Sequence, residues 1–155
     1  MLEQEQIERA RSVDLLSYLQ IHEPGKRFGF YLPANSPDCL CVTVCEGAMD
    51  ALSVATIDQM KADGGRAHYL SLGGTSSLAL DQFLAGRPHI KEVTLCLDND
   101  PTGRDASVKI THRLQERGLA LRTLLPDQHK DWNEALKSLR SQHRRAIHRT
   151  LDHSI

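Results

Sequence analysis

From residue 38 onward the chain alternates short apolar, β-rich runs with stretches whose apolar residues recur at helical spacing. Leu40 to Cys45 reads as a strand followed by a helix from Asp50 to Lys61, and Ala67 to Leu72 followed by Ser77 to Leu84 repeats the pattern. Val93 to Leu97 precedes a helix from Asp105 to Arg117 that Gly118 closes, and Leu119 to Leu124 precedes a helix from about Asn133 to Leu151. Four βα units in series predict an α/β fold with a mostly parallel central sheet and helices on both faces. Strands buried on both sides explain why these runs are so continuously apolar.

Upstream, Ile7, Ala10, Leu15, Leu16 and Leu19 predict a short amphipathic helix over Ile7 to Gln20, which ends before Pro24-Gly25. The text GKRFGFYLPANSPD that follows mixes turn formers with Phe28, Phe30 and Tyr31, and predicts an edge strand or hairpin and then a loop. The expected organisation is an N-terminal helix and connecting segment over residues 1–37 and an α/β domain over 38–155. No internal repeat or low-complexity segment interrupts it.

Length and composition narrow the function classes. A chain of 155 residues fits one compact domain, and 40% hydrophobic with 25% charged residues excludes fibrous and globally disordered readings. No apolar run approaches the ~18 residues a membrane span needs, and MLEQEQIERARS is polar where a signal peptide is apolar, so a cytoplasmic location without a membrane partner is expected. With 19 basic against 20 acidic residues there is no global positive field, and any contact with nucleic acid must be local. Cys39, Cys41, Cys45 and Cys96 form no CxxC pair, so zinc is not expected; the three around the first strand read as small buried thiols. The eight histidines are scattered, and none is assigned to a metal.

In open α/β sheets ligands bind beyond the carboxyl ends of the strands. Those ends read Cys45-Glu46-Gly47, Leu72-Gly73-Gly74-Thr75, Leu97-Asp98-Asn99-Asp100 and Leu125-Pro126-Asp127. Asp98 and Asp100 are two apart, so an extended backbone points both carboxylates to one side, where Mg²⁺ (or Mn²⁺) can accept one or two of them plus waters and phosphate oxygens. The same residues, in the turn-forming run Asn99 to Gly103, can instead cap the next helix. Glu46 can exchange a proton as general acid or base or remain a solvated glutamate at a helix start; Gly47 allows the sharp turn, and Asp50 lies one helical turn on, where it can orient or cap that start. The Gly73-Gly74-Thr75-Ser76-Ser77 turn can hold a phosphate or serve only as turn and N-cap.

These segments, VCEGAMDAL, LSLGGTSS, CLDNDPTGRDAS and KDWNEAL in this order, resemble the successive motifs of the Toprim (topoisomerase-primase) domain, above all its bacterial DNA primase-like branch in plasmid and mobile-element proteins. The resemblance runs from about Leu40 to Leu136 and implies the Rossmann-like Toprim fold, with Glu46 matching the family's glutamate and Asp98 and Asp100 its metal-binding DxD pair; Mg²⁺ or Mn²⁺ is expected at Glu46, Asp98 and Asp100 together. Gly47 and Asp50 match the glycine and acidic residue that follow the glutamate, and Gly74 and Thr75 match the glycine turn. It further implies DNA or RNA and nucleotides as partners, and nucleotidyl transfer or phosphodiester hydrolysis as the chemistry. Topoisomerase members extend the acidic motif to DxDxE, whereas Thr102 stands at the last position here, and the zinc ribbon and basic subdomain of bacterial primases are missing. ARSVDLLSYL resembles the helix that opens a zinc-ribbon module in mobile-element relatives. An internally shortened relative, or one whose missing modules come from replication or transfer proteins, is the expectation.

The last helix offers a local basic surface. Lys137, Arg140, Arg144, Arg145 and Arg149 accompany an apolar stripe of Leu136, Leu139, Ala146, Ile147 and Leu151, so one face can pack while Arg140, Arg144 and Arg145 meet phosphates, or stay solvated near the helix C-terminus. Lys130, Asp131, Asn133 and Glu134 divide between substrate or site support and capping of this helix.

Overall fold

A computed structural model describes residues 30–61 and 66–152. The helix expected over residues 7–20 lies outside them. In chain order the elements are β1 (Tyr31–Leu32), β2 (Cys41–Cys45), α1 (Ala48–Met60), β3 (His68–Ser71), α2 (Leu78–Ala85), β4 (Glu92–Cys96), α3 (Pro101–Gln115), β5 (Ala120–Thr123) and α4 (Trp132–Asp152). They build one five-stranded sheet in the order β1-β3-β2-β4-β5, parallel except for β1, which pairs antiparallel with β3. The expected α/β architecture is therefore present. Among the described residues of the segment before residue 38, Tyr31–Leu32 forms an edge strand.

Alternation along the strands sends side chains to two cores. Val42 and Val44 of β2, with Leu70, Val93 and Leu95, meet Leu80, Phe83, Ile110 and Leu114 of α2 and α3. On the other face Cys45, Tyr69 and Cys96 meet Ala51, Val54 and Ile57 of α1 and Trp132 and Ala135 of α4. The two-residue β1 is fastened by His68, whose Nδ1 accepts from the Ala34 N–H at 3.0 Å and lies 2.9 Å from the Tyr31 hydroxyl. Arg87 stacks over Phe83 at 4.2 Å and Tyr31 at 5.0 Å, closing that edge.

Two expectations need correction. The helix expected from Asp105 begins four residues earlier, at Pro101, because Asp100 accepts the Gly103 N–H at 2.9 Å and Pro101 occupies the first turn, where its missing donor costs nothing. Of the roles open to the turn-forming run Asn99 to Gly103, capping of the next helix is present, at the start of α3; every other boundary agrees to within two residues. Burial of the cysteines also holds only in part. Cys45 and Cys96 are side by side in register and fully buried, which pushes both thiols well above their usual range, whereas Cys39 and Cys41 are half-buried at the mouth of β2. Among the described residues no helix is long and apolar enough to cross a membrane.

The topology decides where a site can form. The chain goes from β2 to β3 on one side, then crosses to β4 on the other, so winding reverses between β2 and β4 and leaves a crevice beyond their carboxyl ends.

Candidate functional site

Glu46 follows the last residue of β2 and Asp98 lies two past the end of β4, so both stand over that crevice. The glycine turn after β3 braces the first of them: the Gly74 N–H donates to the Glu46 carbonyl at 3.1 Å, the Ser71 hydroxyl donates to the same oxygen at 3.3 Å, and the Gly73 N–H donates to Ser71 Oγ at 3.1 Å. That path needs φ of 67° at Gly73 and 137° at Gly74, which side chains resist. Gly103 does the equivalent for Asp98. A Cβ there would lie 2.3 Å from the Asp98 carbonyl oxygen, so only glycine lets α3 close onto the strand end.

The carboxylates gathered here repel one another. Burial, and after it the negative charges of Asp50, Glu46, Asp100 and Asp131, push the Asp98 carboxyl up to about 6. Glu46 Oε2 and Asp98 Oδ1 are buried and have no hydrogen-bond partner among the described residues. Unspent carboxylate oxygens on two neighbouring strands are a donor set that fits a hard divalent cation, which would neutralise the repulsion and use the lone pairs. Among the described residues no three His, Cys, Asp or Glu side chains converge into a cage. Mg²⁺ does not require one, because it keeps several waters and takes one or two carboxylates.

The other acidic residues expected at the rim are drawn into helix starts. Asp100 spends Oδ1 on the Gly103 N–H, and since β4 ends at Cys96 and the chain bends at Asn99 and Asp100, strand alternation does not set the direction of this pair. Asp50 reaches back to the Gly47 N–H, the reciprocal bond of a capping box, and also accepts from the backbone of Trp132 and Asn133; burial, then Asp131, nonetheless raises its pKa. It thereby fastens the start of α4 to the start of α1. Asp131 caps α4 through the Glu134 N–H at 2.8 Å, and Glu134 returns a bond to the Lys130 N–H at 3.2 Å. Lys130 itself is exposed.

Thr75 lines a cleft beside α3. Arg140, Arg144 and Arg145 are exposed on α4, roughly 14 to 21 Å along the helix from Asp131 at 1.5 Å per residue, so they are not part of the acidic rim. Leu136 and Leu139 join the core, whereas Ala146 is exposed and Ile147 is 49% exposed.

The sequence reading passed over Asn99, Gly103 and Arg104. Asn99 Nδ2 donates to the Asp127 carbonyl at 3.1 Å and the His129 carbonyl at 3.4 Å, its N–H donates to the Lys130 carbonyl at 2.8 Å, and its Oδ1 accepts from Arg104 Nε at 3.0 Å. This residue between the two aspartates ties the acidic loop to the loop that carries Lys130 and Asp131. An asparagine flanked by carboxylates before a helix is the only trace of it in the sequence.

The Toprim-like family matches residues 43–136 of the chain. No curated protein matches it. Among solved structures, a protein from Aquifex aeolicus is similar at 19% identity, covering 55% of this chain and 70% of that one, with a TM-score of 0.41.

Proposed function

The chain belongs to the Toprim-like family, and from that premise we propose that it is a primase-like protein that performs Mg²⁺-dependent nucleotidyl transfer or phosphodiester hydrolysis on nucleic acid. The family implies metal-dependent chemistry on nucleic acid in general terms. What supports the finer reading is one observation, the two buried carboxylate oxygens of Glu46 and Asp98 left without partners at the reversal point of the sheet.

In this reading Glu46 and Asp98, with Asp100 through the oxygen not used for capping, hold the cation, and Mn²⁺ can replace Mg²⁺. Bound there, the cation supplies charge stabilisation to the phosphate oxygens of an in-line displacement. Glu46 takes the proton, from a 3′-hydroxyl in the synthetic direction or from water in the hydrolytic one. Gly47 and Asp50 fix the turn on which Glu46 sits, and Asp131 belongs to the same support. Gly74, Thr75 and Lys130 bind phosphate or substrate. Arg140, Arg144 and Arg145 meet the nucleic-acid backbone away from the acids. Residues 1–37 are the remnant of a zinc-ribbon module of the kind found in mobile elements, and replication or transfer proteins are its partners.

A second reading, a non-catalytic binding module for nucleic acid or protein from such a system, is favoured by one detail: the Asp100 oxygen committed to the helix cap. Calorimetric titration of Mg²⁺ and Mn²⁺, beside assays of primer synthesis and strand cleavage with and without replication partners, separates the two. Catalysis lost in Glu46→Gln while metal binding persists supports the enzyme. No turnover in any pairing, with metal binding intact, leaves the binding module.

A further inference from the structure

The surroundings of Glu46 and Asp98 differ in charge on the two faces of the sheet. Toward α1 and α4 lie further carboxylates, Asp50 and Asp131. Toward α2 and α3 lies a cleft of about 300 Å³ that begins at the glycine turn and at Thr102, in the first turn after Asp100. Its walls carry the hydroxyls of Thr75, Ser76, Ser77 and Thr102 and the cations Lys109 and Arg113, which are one helical turn apart on α3 and so share a face. Ser77 begins α2 without using its side chain as a cap, so that hydroxyl is unspent. Asp105, on the same wall, pairs with Lys109 at 2.6 Å, and Arg113 Nη2 with Asp81 at 2.9 Å. Both pairs are solvent-exposed to a degree that makes them weak, and each cation keeps further N–H donors for a stronger acceptor.

We propose that this cleft takes a phosphate group of the substrate, with Lys109 and Arg113 as its cations and the turn from Thr75 to Ser77 supplying hydroxyl donors. A phosphate held near Glu46 and Asp98 has anionic neighbours in its own chain, which the acids on the α1 and α4 side repel and the cleft on the opposite side attracts. The size suits one or two phosphate groups, the chemistry shared by a nucleotide's polyphosphate and a nucleic-acid backbone. The placement beside the acids rests on the function proposed above; the anion site itself does not depend on a cation.

The full chain in metal-free buffer is titrated with tripolyphosphate and, separately, with a short oligothymidylate, following the amide resonances of residues 75–78 and 102 and the affinity. The expected result is a shift of those amides by at least one ligand and a loss of about tenfold or more in its affinity in Lys109→Ala, Arg113→Ala, as for removal of charge-assisted bonds, with retention in Lys109→Arg. Binding of tripolyphosphate points to a nucleotide as the source, and binding of the oligomer alone points to a backbone. Lys109→Ala by itself carries the test if loss of the Arg113–Asp81 contact unsettles the fold. Unmoved amides with both ligands, or undiminished affinity in the variants, overturns the proposal. Mg²⁺ titration of the parent chain, measured in parallel, keeps the two readings distinct: absence of Mg²⁺ binding would sink the metal centre and leave the cleft standing.

Discussion

At the residue scale, the raised pKa of Asp98 has a consequence that needs no substrate to observe. In the unfolded chain this carboxyl titrates near 3.8, and in the fold at about 6. Between those values the folded state keeps a proton that the unfolded state has released, so the contribution favours folding below about pH 4 and is lost as pH rises through 6. At pH 7.5 Asp98→Asn should therefore stabilise the metal-free protein by roughly 1 kcal/mol, the shift being discounted for partial exposure, and should do nothing near pH 3.5. Urea unfolding at the two pH values measures this, and equal effects at both would remove the electrostatic explanation. Saturating Mg²⁺ should stabilise the parent and leave Asp98→Asn unchanged. Gly103→Ala acts on the same residue through the backbone: with a Cβ 2.3 Å from the Asp98 carbonyl oxygen, α3 must retreat. A loss of about 1–3 kcal/mol is expected, as for other overpacking, with weakened Mg²⁺ affinity in the fraction that folds. Thermal unfolding beside calorimetry tests it, and an unaltered melting temperature would deny the close approach.

At the element scale the start of α3 shows two uses of one side chain. Asp100 caps the helix and also adds to the negative potential at Asp98. Asparagine caps as well as aspartate, so Asp100→Asn should keep stability within a few tenths of a kcal/mol and lower Mg²⁺ affinity, whereas Asp100→Ala should lose both, with about 1 kcal/mol of stability. Denaturation and metal titration of the two variants separate cap from ligand; unchanged Mg²⁺ affinity in both would make Asp100 a cap alone. The sequence reveals these elements unevenly, for physical reasons. Apolar runs bounded by glycine and proline disclose the strands and helices, and the reversal of winding at β2 cannot be seen because pairing order is a matter of three dimensions. Glu46, Asp98 and Asp100 are legible as strand-end carboxylates. Asn99 and Gly103 are not, since their work consists of backbone contacts to segments distant in sequence or tightly apposed in space. The first turn of α3 is hidden for a related reason: Asp-Pro-Thr-Gly serves a turn as well as a capped helix start, and only packing of Gly103 on Asp98 selects the second.

At the scale of the whole molecule, 20 acidic residues nearly balance 19 basic ones, so binding of nucleic acid depends on where the cations stand. Glu46, Asp50, Asp98, Asp100 and Asp131 gather at the carboxyl edge of the sheet, while Arg140, Arg144 and Arg145 are exposed along the middle of α4, roughly 14 to 21 Å from Asp131. A backbone held by those arginines therefore meets the protein apart from the proposed cation, and the two functions should separate. Charge reversal at all three positions should weaken binding of single-stranded or duplex DNA and flatten its dependence on salt, because fewer counterions are released. Mg²⁺ titration of the same variant should be unaltered, since screening at 0.15 M acts over only about 8 Å. Affinity measured at several salt concentrations, with and without Mg²⁺, checks both halves. An unchanged salt slope would remove α4 from the interface and leave Lys109 and Arg113 of the cleft beside α3 as the cations of the interface, in which case the strand enters along α3.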